Sequence, residues 1–226
     1  MPPVPKLPSA QVASAATGTA AEAAKGQIRQ ANESLILEAA ERVFAGAGFS
    51  GATMAAIAEA SGLPKANLHY YFGNKQELYR AVLARTLSDW LAPTHGITPE
   101  ADPAMALGDY IRDKMRLSQQ RPHASKVFAN ELLHGAPVLQ TLLETELRDL
   151  VLEKAAVLDG WVAQGRMAPV NTVHLFFTIW SATQTYADFD VQIASVLGRN
   201  ALTPKDYAQA TEHVVGLILR GCGLAT

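Results

Sequence analysis

The sequence predicts an all-α fold: an N-terminal three-helix head on a larger helical body, about nine helices in total. Three observations carry this reading. Apolar residues recur at helical spacing along most of the chain, and no stretch alternates convincingly with a period of two. Capping residues, Gly and Pro fall between the periodic runs. With 49% hydrophobic residues in 226, there is enough apolar material for a sizeable core.

Residues 1–26 are rich in Ala and Pro but lack a Leu/Ile/Val block of signal-peptide length, so they read as a disordered tail. From about Arg29 to Ala45, the residues Ile36, Ala39, Ala40, Val43 and Phe44 form one stripe, which Gly46 to Gly51 stops. Thr53 is the expected N-cap of a short second helix with Met54, Ile57 and Ala58 inward and Gly62 at its end. Pro64 suits the first turn of a third helix running to about Phe72. The head is thus 27–73 and the body 74–226.

In the body, Asn74 with Glu77 resembles a capping box opening a helix to about Leu91. Asp102 and Pro103 open the next, which ends before Pro122, and a shorter one follows from about His123 to Leu133. One long helix is expected from about Val138 to Gln164, with Leu139, Leu142, Leu143, Leu147, Leu150 and Val151 on a stripe. Asn171 caps a run to about Phe189 that is apolar nearly all round, and Thr203, Pro204 and Asp206 start the last helix. Phe176, Ile179, Val214, Val215, Ile218 and Leu219 exceed what one side of a helix can hide, so these last two helices are expected to pair with a second copy.

Composition excludes several classes. A single cysteine, Cys222, forms no intrachain disulfide, and no paired ligand spacing calls for a structural metal, which favours a reducing, cytoplasmic home. No apolar stretch reaches membrane-helix length. His134, His174 and His213 lack a second His at metal spacing, and neither a nucleophile elbow nor a Gly-rich phosphate loop occurs. No catalytic residue and no cofactor are expected.

The functional signal lies in the head. Residues 25–88 carry +2 and residues 89–226 carry −4, and no carboxylate stands between Glu59 and Glu77, where Lys65, His69 and Lys75 lie. Two short helices joined by a Gly turn have helix-turn-helix proportions. The second presents Lys65, Asn67, His69, Tyr70 and Tyr71 outward. Lysine and tyrosine suit phosphates, while Asn67 or His69 can reach a base edge. A helical hairpin with a solvated polar face has the same pattern.

The stretch from Ile36 to Leu78, containing FAGAGFSGATMAAIAEASGLPKANLHYYFGNKQEL, resembles the DNA-binding head of TetR-family regulators. Gly48-Phe49, Thr53, Ile57-Ala58, Gly62, the aromatic pair before Phe72, Lys75 and Leu78 stand where that family has their equivalents. Pro64 departs from it, since a capping residue is common there. The resemblance implies a homodimer on an inverted-repeat DNA operator, with Thr53, Lys65, Ala66, Asn67, His69, Tyr70, Tyr71 and Lys75 as candidate contacts. It further implies release of the operator by a small effector, most simply as a repressor.

Thr86 to Pro93, Asn130 to Leu139 and Thr178 to Phe189 are similar to segments of the family's pyrimidine-catabolism regulators, which respond to uracil and thymine. On the helix from Asn171, positions 176, 180, 183, 184 and 187 share a face, so Trp180 offers a flat surface one turn from the Gln184 amide. A glutamine amide complements the alternating C=O and N–H edge of a pyrimidine. Trp90, Asn130, Glu131 and Thr183 complete the candidate ligand set. Two other readings stand beside it: a sensor of another small polar metabolite, and an all-helical enzyme using the same pocket. A titratable group with a strongly perturbed pKa inside the pocket would favour the enzyme.

Overall fold

The structure, a computed structural model, describes the backbone of residues 12–224 and the side chains of residues 24–224. Every regular element among the described residues is helical. Helix α1 spans Val12–Gly51, far upstream of the predicted start at Arg29. Of the expected tail, residues 1–11 lie outside the described residues, and residues 12–26 are helical rather than disordered. Their many alanines are the strongest helix formers, which explains the extension. Gly48, at φ 66° and ψ 173°, breaks the α1 hydrogen-bond ladder near its end, a backbone that a side chain would strain.

The head then follows the predicted order. In α2 (Met54–Ser61) the Thr53 hydroxyl accepts from the Ala56 amide at 3.1 Å, and Gly62 closes the helix in the left-handed region at φ 68°. Helix α3 (Lys65–Phe72) begins one residue later than predicted, because Pro64 occupies the capping position itself and no side chain caps the helix. Asn74 caps α4 (Lys75–Leu91) by accepting from the Glu77 amide at 3.0 Å. The reciprocal half of the predicted capping box is missing, since the Glu77 carboxylate pairs with Arg80 instead.

A short 3-10 turn (Ala92–Gly96) leads to α5 (Pro103–Gln120), capped by Asp102, and α6 (Pro122–Leu133) follows. The long helix expected over 138–164 is interrupted. It divides into α7 (Gln140–Leu142), a π turn (Leu143–Leu147) and α8 (Arg148–Ala163). The wide turn re-phases the leucine stripe. Leu139 and Leu142 before it pack with the head and α4, while Val151, Ala155 and Leu158 after it join the body core. Helices α9 (Thr172–Asp188), α10 (Asp190–Val196) and α11 (Pro204–Gly221) complete the chain. Only α10, set off by a break at Phe189, was not predicted.

Two apolar clusters organise the packing. The first unites Ile36, Ile57 and Leu68 of the head with Leu78, Val82 and Leu83 of α4 and Val127 and Phe128 of α6. The head's core therefore continues past residue 73 into the body. The second gathers α5, α8, α9 and α11. Phe176, Ile179, Val214, Val215, Ile218 and Leu219 are all buried in it. The surplus reserved for a second copy is thus hidden within one chain, because α5 and α8 cover the faces that periodicity left unassigned. Arg121, at the α5–α6 corner, bonds both Glu41 of α1 and Asp89 of α4 and ties head to body.

Candidate nucleic-acid interface and ligand pocket

Helix α3 is held by one buried side chain, Leu68, which sits in the head core. At about 3.6 residues per turn, Ala66 and Tyr70 fall opposite Leu68, with Asn67 and His69 flanking them. Tyr70 is 75% exposed, and Lys65, Ala66 and His69 are exposed too. The missing side-chain cap leaves the Lys65 and Ala66 amides open to a phosphate at the positive end of the helix. The His69 Nδ1–H donates to the Gly73 carbonyl at 2.6 Å, which fixes the ring and leaves Nε2 for the outward side. Thr53 is exposed as well as capping α2.

Two predicted contacts are committed elsewhere. The Lys75 ammonium donates to the carbonyls of Phe49, Ser50 and Ala52 at 2.7, 3.4 and 2.9 Å and lies 4.6 Å from the Phe49 ring centroid. Its three hydrogens close the end of α1, so it is a strut between α1, α2 and α4 rather than a free phosphate ligand. Tyr71 is half-buried, and its hydroxyl accepts from the Asn32 amide at 3.2 Å, which pins α3 to α1.

In the body, a cavity of about 190 Å3 opens between α4, α5, α6, the π turn and α9. Three of the six predicted ligand residues meet there: Trp90 from α4, and Trp180 and Gln184 one turn apart on α9. The Trp180 N–H donates to the Tyr110 hydroxyl at 2.7 Å, so the indole is locked and offers the cavity its ring. Burial pushes the Tyr110 phenol up to about 12, more than the Trp180 bond offsets, so it stays a neutral acceptor. Trp90 is fixed edge-on to Phe128 at 4.8 Å. Among the described residues the Gln184 amide bonds no neighbouring backbone group, which leaves it for a ligand. Leu143 and Leu147 of the π turn close the wall, and such turns recur at binding sites.

The other three predicted ligand residues lie outside the cavity. Thr183 is fully buried and donates back to the Ile179 carbonyl at 2.8 Å, while its own carbonyl accepts from Ser118. Asn130 and Glu131 face a separate cleft between the end of α1, α4 and α6. The Glu131 carboxylate accepts from the Tyr79 hydroxyl at 3.1 Å and from the amides of Val138 and Leu139 at 2.6 and 3.3 Å. It steadies the α6–α7 turn, where Gly135 and Ala136 both have positive φ. Burial first, and the Glu131 charge second, push the Tyr79 phenol above its ordinary range. Spacing placed Glu131 on α6 correctly, but the opposite face of that helix, with Phe128 and Leu132, is the one that meets the cavity.

One lining residue was missed. Lys114 of α5 is only 2% exposed, and its ammonium sits 4.1 Å from the centroid of the Trp90 ring. Burial pulls its pKa down to about 7, against the weaker raising effect of Asp188. The signal was available: Leu107, Tyr110, Ile111, Met115 and Ser118 bury the face of α5 on which position 114 falls, so a lysine stands in an apolar stripe. A shifted group in the pocket is the feature the enzyme reading called for. Yet among the described residues no carboxylate, His, Ser or Cys lines the cavity beside it to share proton or nucleophile work.

Comparison with known proteins identifies the architecture. Residues 36–82 match the family described as "Bacterial regulatory proteins, tetR family", and residues 83–225 match "YcdC-like protein, C-terminal region". The HTH-type transcriptional regulator RutR of Escherichia coli (strain K12) is 41% identical over 191 residues, 84% of this chain and 90% of that protein. The HTH-type transcriptional repressor NicS of Pseudomonas putida is 26% identical, covering 82% and 90%. A tetR-family regulatory protein from Rhodococcus RHA1 shares the fold with TM-score 0.67 at 18% identity, over 86% of this chain and 98% of that one. The regulator PfmR from Thermus thermophilus does so with TM-score 0.62 at 23% identity, over 82% and 94%. Head and body together therefore place the chain in the TetR family of DNA-binding transcriptional regulators, as a RutR-like member.

Proposed function

We propose that the chain represses genes of pyrimidine catabolism as a homodimer on an inverted-repeat operator, which it releases when a pyrimidine such as uracil or thymine fills the cavity. The observation that carries this reading is the cavity itself: small, walled by two indoles, that of Trp180 locked by its bond to Tyr110, and holding the unpaired Gln184 amide. A flat ring between Trp90 and Trp180 with its polar edge on Gln184 fits both features. The 41% identity to RutR supports it. As an operator-binding protein it works in the cytoplasm, where its DNA is.

Release follows from the layout of α4. Trp90 stands about 22 Å along that helix from Lys75, at 1.5 Å per residue. Its far end lines the cavity, and its near end carries the Lys75 strut to the end of α1. A ligand that wedges Trp90 away from Trp180 moves α4, and the strut passes the motion to the head. The dimer forms on the outer faces of α9 and α11, where Phe177 and Leu217 stay exposed at 45% and 55%.

A thermal-shift screen of the purified protein against bases and nucleosides tests the ligand class, since a ligand at 100 times its Kd adds about 2.7 kcal/mol of stability. A gel shift with upstream DNA, with and without the hit, tests release. A protein that ignores every pyrimidine would end this reading and leave a sensor of another small polar metabolite.

A further inference from the structure

We propose that Lys25 and Arg29, on the part of α1 upstream of the head core, extend the DNA-binding surface by holding phosphates of the duplex beside the stretch that α3 reads. The proposal rests on DNA binding by the head and is independent of the effector.

Helix α1 starts at Val12, whereas the first residue it places in the head core is Ile36. At 1.5 Å per residue the helix runs on for about 36 Å upstream of that anchor. Residues 24–31 are exposed without exception, so this length of helix adds nothing to either apolar cluster. Its course past the head is set by α3. The Asn32 amide donates to the Tyr71 hydroxyl at 3.2 Å, and the Arg29 guanidinium lies 6.0 Å from the centroid of the Tyr71 ring. Positions 25, 29, 32 and 36 recur on one helical face. The face that buries Ile36 and joins Asn32 to α3 therefore carries Arg29, and then Lys25, past the edge of the recognition helix.

Arg29 also stands beside the outward aromatic of α3. Its pKa is raised first by Glu33 and further by Tyr70 and Tyr71, whose rings sit 5.2 Å apart. Tyr70 is the 75% exposed residue opposite Leu68, so the guanidinium borders the surface that meets DNA. Charge points the same way. No carboxylate occurs between Glu22 and Glu33, nor between Glu59 and Glu77, and the contact of Asn32 with Tyr71 brings these two stretches together. Duplex DNA is the polyanion such a seam fits. Glu33 holds Arg29 at 3.0 Å in an exposed pair one turn apart, a weak interaction that a phosphate displaces. Both cations flank the helix that enters the groove instead of lying on it, where side chains position the duplex and leave base reading to others. They are about 6 Å apart along α1, and a strand carries a phosphate about every 3.4 Å, so each meets its own.

The test is fluorescence anisotropy with the full chain between about 50 and 200 mM salt, on a duplex from upstream of the gene and on a random-sequence duplex of equal length. Lys25→Gln and Arg29→Gln keep good helix formers at exposed positions, so the melting temperature is expected to stay unchanged. Each is expected to weaken binding to both duplexes about fivefold at 0.15 M salt and to flatten the salt slope by about one unit per DNA-bound head, with the double variant additive. Glu33→Gln, which frees Arg29, is expected to tighten binding, a gain that a merely structural role for the pair does not give. Unchanged affinity and slope in the double variant would overturn the proposal. So would a loss confined to one duplex, which would make these residues base readers. A parent that binds neither duplex would overturn it together with the reading of the head, whereas a parent that binds DNA and ignores every pyrimidine would leave it standing.

Discussion

Replacing Lys114 by Met is expected to make the free protein more stable and less sensitive to pH. The folded chain holds the Lys114 pKa at about 7, against an ordinary 10.5. Between these values the unfolded state binds more protons than the folded state, so stability rises with pH across that window and is flat below it. The full difference corresponds to roughly 5 kcal/mol of destabilisation well below pH 7, and about 3 kcal/mol of it is recovered by about pH 9. Loss of the contact with Trp90 offsets up to about 2 kcal/mol of the gain. Urea unfolding of parent and variant between pH 7 and 9 measures this directly. The raised groups Tyr79, Tyr110, Tyr207 and Cys222 remain in both proteins and cancel in the difference. Parallel stability profiles in parent and variant would refute the reasoning, because a lysine that costs nothing to bury is not confined as the structure has it.

Further outcomes follow from the same geometry. Gln184→Leu, close in volume but without the amide, is expected to fold and bind operator while losing pyrimidine response about tenfold, or 1.4 kcal/mol, in a gel-shift titration; an unchanged response removes the glutamine from the site. Phe177→Asp with Leu217→Asp is expected to give folded monomers by light scattering, whereas Val215→Asp, buried within one chain, is expected to unfold it; dimers from the double variant would move the interface elsewhere. Lys75→Ala is expected to destabilise the protein by about 1 to 3 kcal/mol and leave the salt slope of DNA binding unchanged; a slope flatter by about one unit would restore it as a phosphate contact. Asn67→Ala is expected to relax preference at particular base pairs, and equal weakening on every operator variant would deny it a base-reading role.

The sequence by itself determined most of the local structure. Caps at Thr53, Asn74, Asp102, Asn171 and Thr203 all form, because a side-chain oxygen reaching an amide two or three residues on is a local event. The helix-turn-helix was legible for the same reason, with Ile57 and Ala58 in the apolar positions and Gly62 at the turn. So was the pairing of Trp180 with Gln184, one turn apart on α9. The π turn and the short helix α10 were not legible, since the stripe of leucines continues across the first and the second spans only Asp190–Val196.

What a face meets was decided only by the tertiary structure. Lys75 and Glu131 read as free charges, yet each closes a turn: carbonyls at positions 49 to 52 for the lysine, amides at 138 and 139 for the glutamate. Both partners lie on other elements or loops, beyond what helical spacing encodes. The apolar excess of α9 and α11 was visible, but whether α5 and α8 or a second copy covers it depends on packing between elements far apart in the chain. Lys114 is the sharpest case. Periodicity places it in the buried stripe of α5, but only the meeting of α4, α6 and α9 at that point turns a misplaced lysine into the charged wall of a cavity, because the desolvation that shifts it is imposed by neighbours distant in sequence.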